Sequence, residues 1–174
     1  MSLPIALGSA GGAVILLVVA AYLVGSRLPA TRSATASVAI EAPAQEIMAV
    51  LSDVASQPAW RPDVLSVEVR STDEWTEQRR SGESITFRAV SRSERALELT
   101  FESTQGYHGH WRGQLSEDPG RVSTVIKVEE SATVHAPFRR VLAIVFFDPE
   151  KFTADYLSRL EAEVRRRSAA APKR

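Results

Sequence analysis

Apolar residues recur along this chain in three rhythms. The first is an unbroken run. No side chain between residues 1 and 26 is charged, and residues 5–24 are almost wholly apolar, densest at Ala13-Val14-Ile15-Leu16-Leu17-Val18-Val19-Ala20-Ala21. At ~1.5 Å per residue, a helix from Leu3 to Val24 reaches about 33 Å, enough to cross a hydrocarbon core. Residues 1–26 therefore predict one transmembrane helix. A cleaved secretory signal fits less well, because nothing basic precedes the run and the run is long.

Residues 27–36 read as a linker, rich in Ser, Thr and Ala and broken by Pro29. Val38 and Ile40 then alternate with polar neighbours over 37–41, which predicts a short strand. Pro43 suits a helix start, where its missing N–H costs nothing. Ile47, Val50, Leu51 and Val54 recur at helical spacing, so 44–54 predicts an amphipathic helix. Gln57-Pro58-Ala59-Trp60-Arg61-Pro62 is expected to end it, since each proline disfavours helix at the residue before it.

The second rhythm has period two. Val67 and Val69 alternate with Glu68 and Arg70 over 64–70. Over 84–90, Ile85, Phe87 and Ala89 alternate with Thr86 and Arg88. Leu97, Leu99 and Phe101 do so over 94–103, and Trp111, Gly113 and Leu115 over 107–117, opposite His108, His110 and Arg112. Val122, Thr124, Ile126 and Val128 follow over 121–131. Such alternation buries one face and wets the other, as in an antiparallel sheet. Ser81-Gly82 and Asp118-Pro119-Gly120 read as hairpin turns.

The third rhythm is helical again. Residues 138–147 are apolar apart from Arg139-Arg140 and read as a short helix or an extended run. Asp148-Pro149-Glu150 has the chemistry of a helix start. Phe152, Tyr156, Leu157, Leu160 and Val164 form the stripe of the long helix that follows. The order β, α, five strands, α lays this helix against one face of a curved sheet.

Charge refines the picture. The 174 residues have zero formal net charge, but the last ten carry five basic groups and no acid, so the remainder is acidic. An acidic body argues against a nucleic-acid binder. Residues 168–174 read as a solvated basic tail. Arg27 and Arg32 flank the apolar run and favour a cytoplasmic domain with the N-terminus outside, as a single-pass protein. Gly8 and Gly12 form a Gly-x-x-x-Gly step that allows weak homodimerisation, although small residues are ordinary in any spanning helix. Cysteine is absent, which removes disulfides, thiolate nucleophiles and cysteine-ligated zinc.

The wording Val38-Ala39-Ile40-Glu41-Ala42-Pro43, followed by Ile47, Leu51, Asp53, Pro58, Trp60 and Pro62, resembles the START-like superfamily. That group, also called SRPBCC, includes polyketide cyclase/dehydrase and lipid-transport proteins. Trp111-Arg112-Gly113-Gln114-Leu115 and Arg121-Val122-Ser123-Thr124-Val125 are similar to its closing strands, and residues 152–164 to its gripping helix. The resemblance covers 37–167 and implies an α+β helix-grip fold: an antiparallel sheet wrapped around a long C-terminal helix, with a cavity between them. Gly120-Arg121 departs from the Gly-Thr common in the family at that turn.

A cavity of that kind would be lined by Phe87, Leu99, Phe101, Trp111, Ile126 and Val128 from the sheet, and by Phe152, Tyr156 and Leu160 from the helix. The same residues would equally make a plain packed core. Trp60, between two prolines, is expected to plug the sheet end rather than gate a pocket. His108 and His110 leave one strand face together but lack a third ligand, so no metal and no cofactor is expected. Glu129 and Glu130 point to opposite faces, and an inward Glu130 would either titrate as an acid/base or pair with an arginine. No catalytic signature stands out.

Three functions follow in order of preference. The first is a membrane-anchored module that binds or transfers a lipid or other hydrophobic small molecule, with an apolar lining. The second is a polyketide cyclase or aromatase with a polar inward cluster, drawing on Glu130, Tyr107 or Tyr156. The third is a ligand-free interaction domain.

Overall fold

The computed structural model describes residues 5–117, 120 and 122–170, with side chains from residue 15 onward. Helix α1 (Ile5–Arg27) leads into β1 (Thr31–Ile40), α2 (Ala44–Ser52), a 3₁₀ turn (Val54–Ser56) and the single turn α3 (Gln57–Trp60). Six strands follow: β2 (Val64–Val69), β3 (Glu74–Arg79), β4 (Ser84–Arg92), β5 (Ala96–Ser103), β6 (Tyr107–Glu117) and β7 (Thr124–Val134). Helices α4 (Pro137–Phe146) and α5 (Pro149–Ala170) complete the chain. The sheet is antiparallel with the order β1-β7-β6-β5-β4-β3-β2, a meander closed at one edge by β1.

Several expectations are corrected. Most of the 27–36 linker is strand: β1 begins at Thr31 and pairs with β7 from Thr31↔Thr133 to Ile40↔Thr124. Its inward residues Ala34 and Ala36 are too small to register as hydrophobic alternation, yet small residues suit the edge against which α5 packs. Pro58 opens a helical turn instead of ending one, because a proline in the first turn forfeits no hydrogen bond. Strand β3 was hidden by its charges. Val122 is exposed, and the inward series of β7 begins at Thr124. Of the 138–147 run, all but Phe147 is helix α4.

Helix α5 starts as its sequence dictates, with Asp148 Oδ1 accepting the backbone N–H groups of Glu150 and Lys151 at 3.1 Å. Its far end is held by side-chain contacts as far as Ser168. Arg166 and Arg167 both donate to buried Glu163 at 2.7 Å, and Arg167 also reaches Asp53 at 2.9 Å and Ser56 Oγ at 2.6 Å. Ser168 donates to Glu46 at 2.6 Å, and the helix continues to Ala170. Residues 171–174 lie outside the described residues, as do Gly8, Gly12 and the first half of the expected membrane span as far as packing is concerned. Among the described residues no helix is long and apolar enough to cross a membrane.

Hydrogen bonds from Arg166, and then from Arg167, hold the Glu163 carboxyl at about 2. A depressed carboxyl stabilises the fold above its unfolded pKa, and that contribution fades as pH falls through the folded value. Glu163→Gln is expected to lower Tm at pH 7 by about 3 °C. The gap between variant and wild type should narrow as thermal melts are taken from pH 4.5 toward pH 2.

Candidate functional site

Helix α5 closes on the sheet over only half its length. Leu157, Leu160 and Val164 join Ile40, Ile47, Val50, Ile126 and Val128 in one buried cluster. Beneath the N-terminal half, between α4, α5 and strands β3 to β7, lies a cavity of about 530 Å³. That volume lies within the range of small-molecule sites. Phe87, Leu99, Phe101, Trp111, Phe152 and Tyr156 line it, as expected. Ile126, Val128 and Leu160 do not: all three have 0% exposure and belong to the solid half of the core. Their pattern marked them as inward, but only the packing of α5 on β1 and of α2 against α5 and β6 decides which inward residues are covered.

Two glycines let the floor lie low. A Cβ on Gly109 would come within 2.3 Å of the Phe101 ring and 2.1 Å of the Ser131 carbonyl oxygen. One on Gly113 would meet the Trp111 indole at 2.6 Å. Both rings therefore lie flat across β6 rather than standing up into the cavity. Register continues the aromatic floor: Phe101 pairs with Phe87, and Phe87 with Trp75, whose rings stack at 5.5 Å and 9°.

One end of the cavity is polar. The carboxylate of Glu77, 1% exposed, accepts from Arg61 Nη1 at 2.9 Å and pairs with Arg79 Nη2 at 2.9 Å. Asp63 binds both arginines, Arg61 at 3.2 Å. Burial alone would raise the Asp63 carboxyl, but Arg61 and Arg79 outweigh it and hold it below the usual carboxylate range. The Arg61 guanidinium lies 5.6 Å from the centre of the Tyr156 ring. Buried Glu77 is thus neutralised by Arg61 and Arg79, with half-buried Asp63 balancing them from the rim, the condition under which buried charge is tolerated.

Glu130 lines the same cavity from β7 without an ion pair among the described residues. Burial pushes its carboxyl up to about 7, with Arg61 and Arg79 pulling the other way and Glu77 adding to the rise. Burial likewise raises the phenols of Tyr156 and Tyr107, the latter aided by its hydrogen bond with Glu83. Inward Glu130, Tyr107 and Tyr156 all line this cavity. The lining is not wholly apolar, contrary to the carrier expectation.

The remaining candidates lie elsewhere. Trp60 packs against the core edge, 5.9 Å from Tyr156, and does not line the cavity. His110 pairs with Glu98 at 2.8 Å on the outer face, and His108 meets His135 at 3.2 Å near α4. Among the described residues no cluster of three or more metal-ligating side chains forms. Arg61, Asp63, Trp75, Glu77 and Arg79 were missed. Trp75, Glu77 and Arg79 do share strand parity, a signal readable only once an acid is accepted on an inward face.

A family model described as polyketide cyclase / dehydrase and lipid transport matches residues 40–161. No curated protein matches the sequence. Among solved structures, a START superfamily protein from Mycobacterium smegmatis is similar at 17% identity and TM-score 0.61, covering 77% of this chain and 97% of that one. The Zhui aromatase/cyclase from a Streptomyces species is similar at 16% identity and TM-score 0.68, covering 83% and 99%. Norcoclaurine synthase from Thalictrum flavum, a point mutant in complex with a transition-state analogue, is similar at 14% identity and TM-score 0.62, covering 79% and 96%. At these identities the likeness is one of fold, and the fold is the helix-grip arrangement of START-like proteins.

Removing one member of a buried ion pair strands the other, so Glu77→Ala is expected to cost about 3–5 kcal/mol. The shift in urea midpoint measures it, and replacing Arg61 and Glu77 together by Met and Leu should recover most of the loss. For Glu130 the sign is opposite. A raised carboxyl stabilises the fold fully below its unfolded pKa, and that contribution disappears as pH rises through about 7. Glu130→Gln should therefore raise Tm at pH 8 by about 5 °C and leave it unchanged near pH 4.5. Identical melts at pH 8 would show that the carboxylate is not disfavoured.

Proposed function

The chain belongs to the polyketide cyclase / dehydrase and lipid transport family, and on that footing we propose that it binds a hydrophobic small molecule in the cavity under α5. The ligand class is a lipid, isoprenoid or polyketide-like molecule with an oxygen acceptor at one end. The observation that carries this reading is the division of the cavity. Its body is ringed by Phe87, Leu99, Phe101, Trp111 and Phe152, while two buried donors on its lining, Trp75 Nε1 and Arg79 Nε, have no hydrogen-bond partner among the described residues. An unpaired buried donor costs about 1–3 kcal/mol, which a ligand oxygen would recover.

The apolar N-terminal run supports a membrane tether. From Ile15 to Val24 the side chains of α1 lie largely exposed, and Arg27 and Arg32 follow without an intervening acid. On this reading the protein is single-pass, its domain cytoplasmic, and Gly8 and Gly12 offer a contact for a second copy. A tether keeps the cavity beside an apolar cargo dissolved in the bilayer.

A second reading is cyclase or aromatase chemistry, as the name of the Zhui relative suggests. The shared placement of Glu130, Tyr107 and Tyr156 on the cavity lining favours it, with Glu130 as the proton-transferring group. A ligand-free interaction domain fits least well, because the outer sheet face is laced with ion pairs such as Arg88–Glu74 and Lys127–Glu129.

Native mass spectrometry and lipidomics of the full chain purified in detergent should find a co-purifying apolar molecule. Ala132→Trp, which fills the cavity, should lose it. Trp75→Phe should weaken binding of that molecule roughly tenfold through one lost hydrogen bond. Retention by Ala132→Trp at wild-type occupancy would remove the cavity as the site.

A further inference from the structure

Helix α4 divides two environments. Ala143 and Phe147, at its C-terminal end, line the cavity. Phe138, Leu142, Val145 and Phe146, spaced along its other side, are exposed, Val145 by 65% and Phe146 by 79%. From Val141 to Phe147 there is no polar side chain. The helix packs beside α1, and Gly25 permits the contact: a Cβ there would lie 2.0 Å from the Pro137 carbonyl oxygen. Helix α4 therefore lies alongside α1, and both leave apolar side chains exposed.

Arginines fix this arrangement. Arg32 of β1 donates to the carbonyls of Ala143 and Phe147, each at 2.8 Å, and so caps the negative end of α4. Arg140 donates to the Val134 carbonyl at 2.8 Å and the His135 carbonyl at 3.1 Å. A small cavity of about 50 Å³ beneath α4 shares Glu130, Ala132, Ala143 and Phe147 with the main one.

The segments that build this face are basic. No acid occurs in residues 1–40 or 131–147, while Arg27, Arg32, Arg139 and Arg140 fall within them. Acids return at Asp148, and across the mouth Glu83 bonds Ser103 while Asp63 bonds Arg61 and Arg79. An apolar helix face whose own segment carries Arg139 and Arg140 and no acid matches an anionic bilayer surface.

We infer that α4 is an in-plane membrane helix that seats the cavity mouth on an anionic bilayer, with Leu142, Val145 and Phe146 in the headgroup–acyl boundary. The inference rests on the tether reading of α1. Ligand would then pass between bilayer and cavity beside Phe147 without crossing water.

The chain has no cysteine, so a single introduced thiol reports one position. Full-length Val145→Cys and, as a second variant, Phe146→Cys carry an environment-sensitive fluorophore. They are reconstituted into phosphatidylcholine vesicles with or without about one-third phosphatidylglycerol. Ser91→Cys, at the opposite end of β4, is the aqueous control. Both α4 labels should shift to the blue and be quenched by brominated lipid roughly threefold more than the Ser91 label, more strongly in the anionic vesicles. Vesicles that float with the protein while both α4 labels remain aqueous would overturn the inference and leave the tether intact. Shielding without lipid quenching, rising with the protein-to-lipid ratio, would assign the face to a second copy and equally overturn it. Failure of the protein to float at all would bring down the tether and this inference together.

Discussion

A single carboxylate inside the concave face governs the shape of this protein. Glu77 sits where a core hydrophobe would ordinarily pack, and it is tolerable there only because Arg61 and Arg79 each reach one of its two carboxylate oxygens. Asp63 neutralises the surplus positive charge. Long guanidinium side chains cannot pack as densely as aliphatic ones, and their hydrogen bonds fix where they stand. The sheet and α5 therefore meet fully only beyond this cluster, where Leu157, Leu160 and Val164 find aliphatic partners.

What remains between the two regions is the hollow. Its floor is low because Gly109 and Gly113 leave room for Phe101 and Trp111 to lie flat. Its polar end is rigid because every member of the charged quartet holds another. Glu130 stands apart from that quartet, a carboxyl kept near neutrality by burial. An apolar body with a fixed polar terminus suits an amphipathic guest better than a plain hydrocarbon. The same geometry accounts for the appeal of an enzymatic reading, since one unpaired acid and two phenols line the same cavity.

The other end of the hollow is governed by α4. Arg32 and Arg140 pin that helix to β1 and β7 through backbone carbonyls, which do not depend on side-chain identity at the partner positions. This leaves the outward residues of α4 free of packing duties. Their apolar character then calls for a cause outside the domain, and the bilayer proposed for α1 supplies one. Tether, mouth and cavity lie in one line on this view.

Much of the architecture was legible in the residues themselves. Alternation located β2, β4, β5, β6 and most of β7; Asp148-Pro149 marked the start of α5; and helical spacing found α2. Strand parity pointed to Phe87, Leu99, Phe101 and Trp111, and helical spacing to Phe152 and Tyr156. Each of these is a local property, expressed within a few residues of chain. Strand β3 and the start of β1 escaped because their inward positions carry charge or only a methyl group, and hydrophobic rhythm is blind to both. The polar end of the cavity was beyond reach for a stronger reason. Burying Glu77 is unfavourable until two arginines from separate segments arrive beside it, and that meeting exists only in the folded chain. So too with Ile126, Val128 and Leu160: their inward direction was written in the sequence, but whether they faced a hollow or a packed core depended on how closely distant helices descend.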